Sequence, residues 1–287
     1  MNENIKDLEK YFIEKILPLA VAEDIGSGDI TTSAVIPPGV RGRAIVEAKE
    51  KVILCGISIF AAIFETQKSR VYRLVQYAAD GQTLSRGDRI AEIEADLELL
   101  LNYERLALNV LQRLSGIATL SHSFAEMLKG SRTKILDTRK TTPGYRCLEK
   151  YAVRTGGASN HRMGLYDAFL IKDNHISAAG SIAEAVKRTR AYAREHGKKF
   201  LIEIECKTSA QVEEALQAGA DIIMLDNMDD LSIKRSVAKI ENKAKIEISG
   251  NIIKGRLANL ARMNIDYISS GSLTHSAHAA DLSMNII

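Results

Sequence analysis

Basic side chains are concentrated between residues 137 and 175, in three short segments. These are Asp137-Thr138-Arg139-Lys140-Thr141-Thr142-Pro143-Gly144, Asn160-His161-Arg162 and Ile171-Lys172-Asp173-Asn174-His175. Neighbouring Gly, Asn, Thr and Pro residues are typical of loops at strand ends rather than of a solvated helix face. Arginine forks and lysine ammonium groups in such loops suit carboxylate and phosphate oxygens. We therefore expect a site for a small ligand that carries several negative charges.

Two carboxylates and two Ser-Gly pairs are expected to join these cations. Glu205 and Asp226 end two neighbouring apolar runs, and two acids on a cationic rim are best explained by Mg²⁺, which binds one or two carboxylates together with substrate phosphates. Ser249-Gly250 and Ser270-Gly271 follow the last two runs, where backbone N–H groups of barrel enzymes often bind phosphate.

The elements that must position these groups are short strands alternating with helices. The apolar runs end at Leu136, Ile171, Ile204, Leu225, Ile248 and Ser269, and predicted helices between them include 181–194, 209–218 and 252–262. This alternation predicts a parallel sheet with helical crossovers. Six strands favour a closed or nearly closed barrel, with a doubly wound open sheet as the alternative. Every run delivers polar groups at its carboxyl end, which is the active-site rim of such barrels.

The first part of the chain has a different pattern. Apolar residues at helical spacing, from Ile5 to Leu19, predict a first helix, and a turn-rich stretch follows over 26–32. Strand-like runs cover 44–48, 52–54, 71–75 and 89–93, and a long helical region covers 97–129 with Ser115-Gly116 as its weakest point. We therefore expect a separate mixed α/β module before the barrel.

Bulk properties exclude several classes of protein. Among 287 residues the net charge is only +3 and aromatic residues are 5%, which disfavours a nucleic-acid binder. Cys55, Cys147 and Cys206 stand far apart without zinc-ligand spacing, and their odd number fits a reducing cytoplasm. The start of the chain, residues 1–10, alternates acids and bases and does not resemble a signal peptide. No run reaches the roughly 20 apolar residues of a membrane span.

Some polar residues have simpler interpretations. Glu203 is expected to form a strand salt bridge, and Arg146, Lys150 and Arg154 a solvated helix face. His122 and Tyr151 are interpreted as structural residues, and His196 as part of a surface turn. The three cysteines are interpreted as small buried hydrophobes rather than nucleophiles, because no base partner is visible.

The chain resembles the quinolinate phosphoribosyltransferases over nearly its whole length. Matching motifs include residues 23–32, residues 104–119, residues 137–144, Gly156-Gly157, Asn160-His161-Arg162, Gly164-Leu165-Tyr166-Asp167, residues 170–175, Leu225-Asp226-Asn227, Ser249-Gly250 and Leu273-Thr274-His275-Ser276. Their order along the chain makes the resemblance specific.

The resemblance implies an α/β fold with an N-terminal α/β sandwich domain (residues 1–112) and an incomplete parallel α/β barrel (residues 113–272). The tail, residues 273–287, is expected to return to the first domain. It also implies a cytoplasmic Mg²⁺ enzyme of NAD biosynthesis that uses quinolinate and phosphoribosyl pyrophosphate, and a homodimer, or a higher oligomer, with shared active sites.

By the same resemblance, each site residue acquires an expected role. Arg105 is expected to reach the partner's site, and quinolinate is expected to contact Arg139, His161, Arg162 and Lys172. Thr138 is a further expected substrate-binding residue. Phosphoribosyl pyrophosphate and its metal are expected to contact Lys140, Glu205, Asp226, Ser249, Gly250, Asn251, Ser270 and Gly271, of which Lys140, Glu205 and Asp226 are the expected catalytic residues. Asn251 stands where the family usually has a second Gly, and Asn is the best non-glycine residue if that position needs a positive φ.

Two rival functions remain open. One is the sister group associated with molybdenum transport, although the intact segment Ile171-Lys172-Asp173-Asn174-His175 argues against it. The other is a Schiff-base lyase that uses Lys172 as its amine.

Overall fold

The computed structural model describes residues 4–287, so residues 1–3 of the predicted first domain lie outside the described residues. Up to residue 127 the helices are α1 (Ile5–Tyr11), α2 (Leu17–Asp24), α3 (Ile30–Val35), α4 (Ile57–Glu65) and α5 (Leu97–Met127), with a π-helical turn at Phe12–Ile16 and a 3₁₀ turn at Lys68–Arg70. The strands of this part are β1 (Arg41–Ala48), β2 (Val52–Ile53), β3 (Val71–Gln76), β4 (Thr83–Leu84) and β5 (Arg89–Asp96).

Strands and helices then alternate to the end of the chain. The strands are β6 (Lys134–Leu136), β7 (Phe169–Ile171), β8 (Ile202–Cys206), β9 (Ile222–Asp226), β10 (Lys245–Ser249), β11 (Tyr267–Ser269) and β12 (Leu282–Ile286). The helices are α6 (Arg146–Thr155), α7 (Asp173–Ala179), α8 (Ile182–Glu195), α9 (Ser209–Ala218), α10 (Asp230–Ile240), α11 (Lys254–Leu260) and α12 (Ser272–His275). Each of the six predicted apolar runs therefore forms a strand.

The chain forms two compact units, and each unit is built from more than one segment of the chain. Among the described residues, the N-terminal unit contains 4–122, 142–157 and 276–287, and the barrel unit contains 123–141 and 158–275. By this grouping, α5 up to residue 122 and the whole of α6 belong to the N-terminal unit. No helix within residues 4–287 combines the length and apolarity needed to cross a membrane.

The N-terminal unit is built on a four-stranded antiparallel sheet in the order β12-β1-β5-β3. The C-terminal tail supplies the edge strand, since Ala44 of β1 pairs with Ile286 and Ala48 pairs with Leu282. Helix α4, which sequence periodicity did not predict, buries Ile59, Phe60, Ile63 and Phe64 and so lacks the polar face that reveals an amphipathic helix.

Two predictions for this unit were wrong at the residue level. Residues 30–32 are helical rather than turn, because the Asp29 carboxylate accepts the N–H groups of Thr31 and Thr32 and caps α3. Gly116 does not weaken α5, which is continuous there; a Cβ at this position would lie 1.9 Å from the carbonyl oxygen of His278. Glycine at 116 therefore permits the tail to approach the helix.

Helix α6 is not the solvated face that its charges suggested. Glu149 and Lys150 are fully buried, and the Arg113 guanidinium lies 2.7 Å from the Glu149 carboxylate. The Thr142 hydroxyl donates to the same carboxylate at 2.8 Å. Burial of a charged group requires partners of this kind, so the charges of α6 belong to the interior of the N-terminal unit.

The barrel unit contains a six-stranded parallel sheet in the order β6-β11-β10-β9-β8-β7. Its successive strands β6 and β7 lie at opposite edges, and within residues 4–287 no ladder joins them, so the barrel is incomplete. Ile204, Ile223, Ile248 and Ile268 are fully or almost fully buried in these strands. Because all six strands run the same way, the residues that follow them meet at one end of the sheet.

Candidate active site

A cavity of about 790 Å³ lies at the carboxyl ends of the barrel strands. Its lining includes every predicted site residue except Arg105, namely Thr138, Arg139, Lys140, His161, Arg162, Lys172, Glu205, Asp226, Ser249, Gly250, Asn251, Ser270 and Gly271. Residues from six different strand ends therefore share one space. Arg105 lies on α5 of the N-terminal unit, and its side chain is 63% exposed.

Two arginines, Arg139 and Arg162, lie in the cavity lining and act on each other electrostatically. The Arg162 guanidinium donates to the carbonyl oxygen of Ala168 at 3.2 Å. Burial and the nearby positive charge of Arg139 lower the pKa of Arg162, while the Glu203 carboxylate opposes that shift. Repulsion between two guanidinium groups is relieved by an anion, so this pair is suited to hold a carboxylate.

Lys140 is held beside the last strand ends. The Thr138 hydroxyl accepts the Lys140 N–H at 3.0 Å, and the Thr274 hydroxyl donates to the Lys140 carbonyl oxygen at 2.8 Å. A Cβ at Gly271 would lie 2.8 Å from the Lys140 side chain and 3.1 Å from His275. Glycine at 271 thus leaves room for the Lys140 stem.

The two predicted metal ligands project from neighbouring strands. The Glu205 carboxylate at the end of β8 lies 3.2 Å from the Lys172 ammonium nitrogen. Asp226, at the end of β9, accepts a hydrogen bond from the Asn227 amide at 2.8 Å. Both carboxylates line the cavity and offer hard oxygen donors, which fits Mg²⁺ with water and substrate oxygens as its other ligands.

The loop after β10 explains the unusual Asn251. Gly250 has φ +89°, and Asn251 follows with φ +49°, so the second position does need the left-handed conformation that Asn tolerates best among non-glycine residues. The Asn251 amide donates to the Asn227 side-chain oxygen at 3.3 Å. Asn227 itself has φ +54° and is packed so closely that a Cβ at Gly250 would clash with it.

Sequence reasoning did not assign Asn227 to the site. It lines the cavity together with Ser272 and His275, although its place directly after Asp226 on a strand end was a usable signal. Ser272 contacts the predicted Ser270, with 2.7 Å between the two hydroxyl oxygens. The end of the cavity that is lined by the two Ser-Gly pairs therefore contains more polar groups than those pairs alone.

His161 is fixed within the chain through its backbone and both ring nitrogens. The Asp137 carboxylate accepts the His161 N–H at 2.8 Å, and the ring Nδ1 accepts the Arg162 N–H at 2.7 Å. The ring Nε2 lies 3.2 Å from Glu203 and 3.6 Å from Glu247. Glu203 was interpreted as an ordinary strand salt bridge, and Glu247 was not singled out.

A sequence signal for both acids existed. Glu203 precedes Glu205 by two residues, and Glu247 precedes Ser249 by two residues, so each acid shares a strand face with a predicted site residue. Both side chains are buried, at 5% and 1% exposure, below the cavity lining. The barrel interior thus contains two carboxylates behind a cationic rim.

The chain is similar to members of one protein family over most of its length. The models of the quinolinate phosphoribosyl transferase N-terminal and C-terminal domains match residues 29–115 and 117–285. A probable nicotinate-nucleotide pyrophosphorylase (carboxylating) of Bacillus subtilis is 42% identical over 274 residues, covering 96% of this chain and 93% of that protein. A protein of the same description from Methanocaldococcus jannaschii is 38% identical over 287 residues, covering 97% and 98%.

Solved structures agree with these matches. NadC of Streptococcus pyogenes superposes with a TM-score of 0.90 at 41% identity, covering 96% of this chain and 97% of that chain. The nicotinate-nucleotide pyrophosphorylase of Ehrlichia chaffeensis superposes with a TM-score of 0.91 at 35% identity, with complete coverage of both chains. The chain belongs to the quinolinate phosphoribosyltransferase family.

Proposed function

We propose that this chain transfers the phosphoribosyl group of phosphoribosyl pyrophosphate to quinolinate, with decarboxylation. The products are nicotinate mononucleotide, pyrophosphate and carbon dioxide, a step of de novo NAD synthesis. The observation that carries the proposal is the single cavity in which Arg139, Arg162, Lys140 and Lys172 meet two carboxylates and two Ser-Gly strand ends. The names of the relatives, which describe a nicotinate-nucleotide pyrophosphorylase, support it.

The chemistry follows from charge and position. Quinolinate carries two carboxylates, and forked cations overcome its repulsion from an anionic sugar donor. The ring nitrogen attacks the anomeric carbon, and the bond from that carbon to pyrophosphate breaks. Lys140 stabilises the negative charge of the leaving group. Alignment of the two substrates in one cavity supplies much of the rate, and the reaction needs no protein nucleophile.

Decarboxylation then needs no further group from the protein. The ring nitrogen has become quaternary and positive, so it stabilises the electron pair that remains on the ring carbon when carbon dioxide leaves. That carbon takes up a proton to give nicotinate mononucleotide. The site residues contribute by holding the ring and its second carboxylate in place.

We propose Glu205 and Asp226 as ligands of Mg²⁺. Their oxygen donors project into the same cavity from adjacent strand ends. When bound, the ion supplies Lewis-acid stabilisation of pyrophosphate oxygens. The Lys172 ammonium lies 3.2 Å from the Glu205 carboxylate. Its positive charge reduces the repulsion between the Glu205 and Asp226 carboxylates when no cation is bound.

The direct test is incubation of the purified protein with quinolinate, phosphoribosyl pyrophosphate and Mg²⁺. We expect equal amounts of carbon dioxide and nicotinate mononucleotide, measured by trapped radiolabelled carbon dioxide and by chromatography. Nicotinate in place of quinolinate is the matched control, because it lacks the second carboxylate and should react poorly. Absence of both products from a folded protein would contradict the proposal.

The two rival functions have distinct tests. A Schiff-base lyase needs a neutral amine at Lys172, whereas Lys172 forms an ion pair with Glu205. Borohydride trapping with a carbonyl substrate should therefore leave Lys172 unlabelled. The other rival is the molybdenum-associated sister group. Lys172 lines the cavity in this chain, and its retention there favours the transferase over that group.

We further propose a homodimer in which Arg105 of one chain serves the site of its partner. The side chain of Arg105 is largely exposed, and its ion contact with Glu104 is long, at 3.9 Å. The barrel unit exposes Leu165, Tyr166 and Ile253, each more than 60% accessible, and such apolar surface favours association.

Mixing of two inactive variants tests the shared site. Arg105→Ala and Lys172→Ala chains should each lose most activity alone. If Arg105 crosses between chains, a mixed dimer contains one site with both residues intact, so about a quarter of wild-type activity should return after random mixing. The control is self-mixing of each variant; failure of verified mixed dimers to regain activity would indicate a site formed by one chain.

We also infer a cytoplasmic location, as the sequence predicted. Cys55 and Cys206 are buried thiols, and burial raises the pKa of Cys206 to about 12. Neutral buried thiols of this kind are typical of proteins in reducing compartments.

A further inference from the structure

His161, Glu203 and Glu247 form a buried group that we name the acid–histidine cluster. One ring nitrogen of His161 and one carboxylate oxygen of each acid lie within 4.8 Å of one another. The His161 side chain is 10% exposed and lines the cavity, while both acids lie behind it. The cluster is therefore the layer of side chains directly beneath the proposed anion site.

The hydrogen bonds of His161 determine its tautomer. Because Nδ1 accepts the Arg162 N–H at 2.7 Å, the ring proton lies on Nε2, which faces the Glu203 carboxylate at 3.2 Å. Both ring nitrogens are then used within the chain. The imidazole is a neutral link between Glu203 and the main chain of Arg162.

The two acids cannot both be ionised at low cost in this position. Glu203 and Glu247 each have one buried oxygen, Oε1, that receives no hydrogen bond from the described residues. A buried carboxylate oxygen without a donor is unfavourable, and two adjacent buried anions repel each other. A proton on Glu247 removes one charge and provides a donor to Glu203.

The surroundings indicate which acid keeps the proton. Burial and the Glu203 charge raise the pKa of Glu247 to about 8, while the hydrogen bond with the Ser269 hydroxyl opposes this rise. Glu203 faces His161 from β8, and its charge also acts on the Arg162 guanidinium. The cluster then carries one negative charge, which partly offsets the mutual repulsion of Arg139 and Arg162.

We propose that the acid–histidine cluster positions Arg162 for binding of the anionic substrate, and that Glu247 is a positioning residue that acts as a neutral hydrogen-bond donor. The inference rests on the proposed function, since it assumes that the cavity binds a dicarboxylate. Loss of the Glu247 proton adds a second negative charge beneath the arginines. That charge weakens binding of a dianion and disturbs the Glu203–His161–Arg162 chain of hydrogen bonds.

The variant Glu247→Gln tests this role, because glutamine keeps the shape and a neutral donor but cannot ionise. Wild-type kcat/KM for quinolinate should fall as the pH rises through about 8, at saturating phosphoribosyl pyrophosphate. Glu247→Gln should lose this alkaline fall. Glu247→Leu, which has no donor, should lose at least about tenfold in kcat/KM for quinolinate at pH 7, well beyond the loss in Glu247→Gln. KM for phosphoribosyl pyrophosphate should change by less than about threefold in both variants, since the cluster faces the other substrate.

Stability gives an independent readout with a defined sign. The pKa of Glu247 rises from an ordinary 4.5 to about 8 in the folded chain, so the folded state binds the extra proton between these values. Wild-type stability should therefore fall as the pH rises from 4.5 to 8 and level off above it. Glu247→Gln should remove this part of the pH dependence in urea unfolding.

A measurement on the wild-type protein avoids any problem of variant folding. Nitrogen-15 NMR of labelled histidine, with His161→Gln used for assignment, should show a neutral ring with its proton on Nε2. An imidazolium at pH 7, an alkaline fall that persists in Glu247→Gln, or equal losses in the Gln and Leu variants would each overturn the inference. A stoichiometric metal ion that disappears in Glu247→Gln would also overturn it, because the acids would then be metal ligands.

Different results would contradict the proposed function and the proposed role of the acid–histidine cluster. A wild-type protein that makes no nicotinate mononucleotide contradicts the proposed function. An active wild-type enzyme whose Glu247 variants keep the wild-type pH profile contradicts only the role of the cluster.

Discussion

Replacement of Arg162 by Ala is expected to raise the KM for quinolinate and to lower kcat/KM by roughly 30- to 5,000-fold, which corresponds to about 2–5 kcal/mol for a lost buried ion contact. Arg162 lines the cavity, interacts with Arg139, and is anchored by its bond to the Ala168 carbonyl. We propose that its guanidinium fork binds a substrate carboxylate. KM for phosphoribosyl pyrophosphate should change much less, because we expect Arg162 to contact quinolinate and not the sugar donor.

The stability of this variant should change little, in contrast to its activity. Burial and Arg139 both disfavour the charged form of Arg162 in the ligand-free chain, as its lowered pKa indicates. Removal of that charge therefore should not lower Tm by more than about 2–4 °C, the effect of about 1 kcal/mol in a domain of this size. Binding sites commonly retain such unfavourable charges because the ligand neutralises them.

Two control variants show whether the effect depends on the paired N–H donors of Arg162 and whether it is specific to this position. Arg162→Lys keeps a positive charge but not the paired donors, so it should recover only part of the lost kcat/KM. Arg188→Ala removes an arginine that pairs with Glu184 on the outer face of α8, and should leave the quinolinate kinetics unchanged. Unchanged quinolinate kinetics in Arg162→Ala, with folding verified, would refute the assignment of this cavity to quinolinate.

Replacement of Asp226 by Asn is expected to raise the Mg²⁺ concentration for half-maximal activity by roughly 10- to 1,000-fold, or about 1.4–4 kcal/mol. The substitution keeps the shape of the side chain and an oxygen that can accept from Asn227, but removes the charge that attracts the cation. Asp226 should matter more than Glu205, whose charge is already balanced by Lys172 at 3.2 Å.

Titration of activity with Mg²⁺ at fixed substrate concentrations measures this effect. Glu213→Gln is the matched control, since it removes one negative charge from an exposed pair with Lys239 on the same unit. That variant should keep the wild-type Mg²⁺ dependence. Activity of the wild-type enzyme that persists after complete chelation of divalent ions would exclude the carboxylates as metal ligands.

The alternating pattern of the barrel unit was readable from the sequence because its strands are buried on both faces. Such strands form continuous apolar runs, and all six predicted runs form strands that end within two residues of the predicted ends. The site followed from the same property, since parallel strands deliver their next polar residues to one rim. This is why Arg139, Lys172, Glu205, Asp226 and Ser249 could be assigned together.

Residues whose role depends on distant partners were not readable in this way. Lys150 and Glu149 belong to an amphipathic-looking helix, but their charges are buried because α6 packs within the N-terminal unit. Gly116 looked like a weak point of a helix, and its real role depends on His278, which follows it by 162 residues (278 minus 116). Local propensity contains no information about such long-range contacts.

Residue types and their order along the chain determined the family, the βα repeat and the chemical character of the rim, because each follows from local periodicity and from short contiguous motifs. The tertiary structure alone decided that Glu247 and Glu203, from separate strands, meet His161 beneath that rim. It also decided that the C-terminal tail completes the first sheet as strand β12. Both depend on the register and order of non-adjacent strands, which are set by packing of the whole sheet rather than by any short segment.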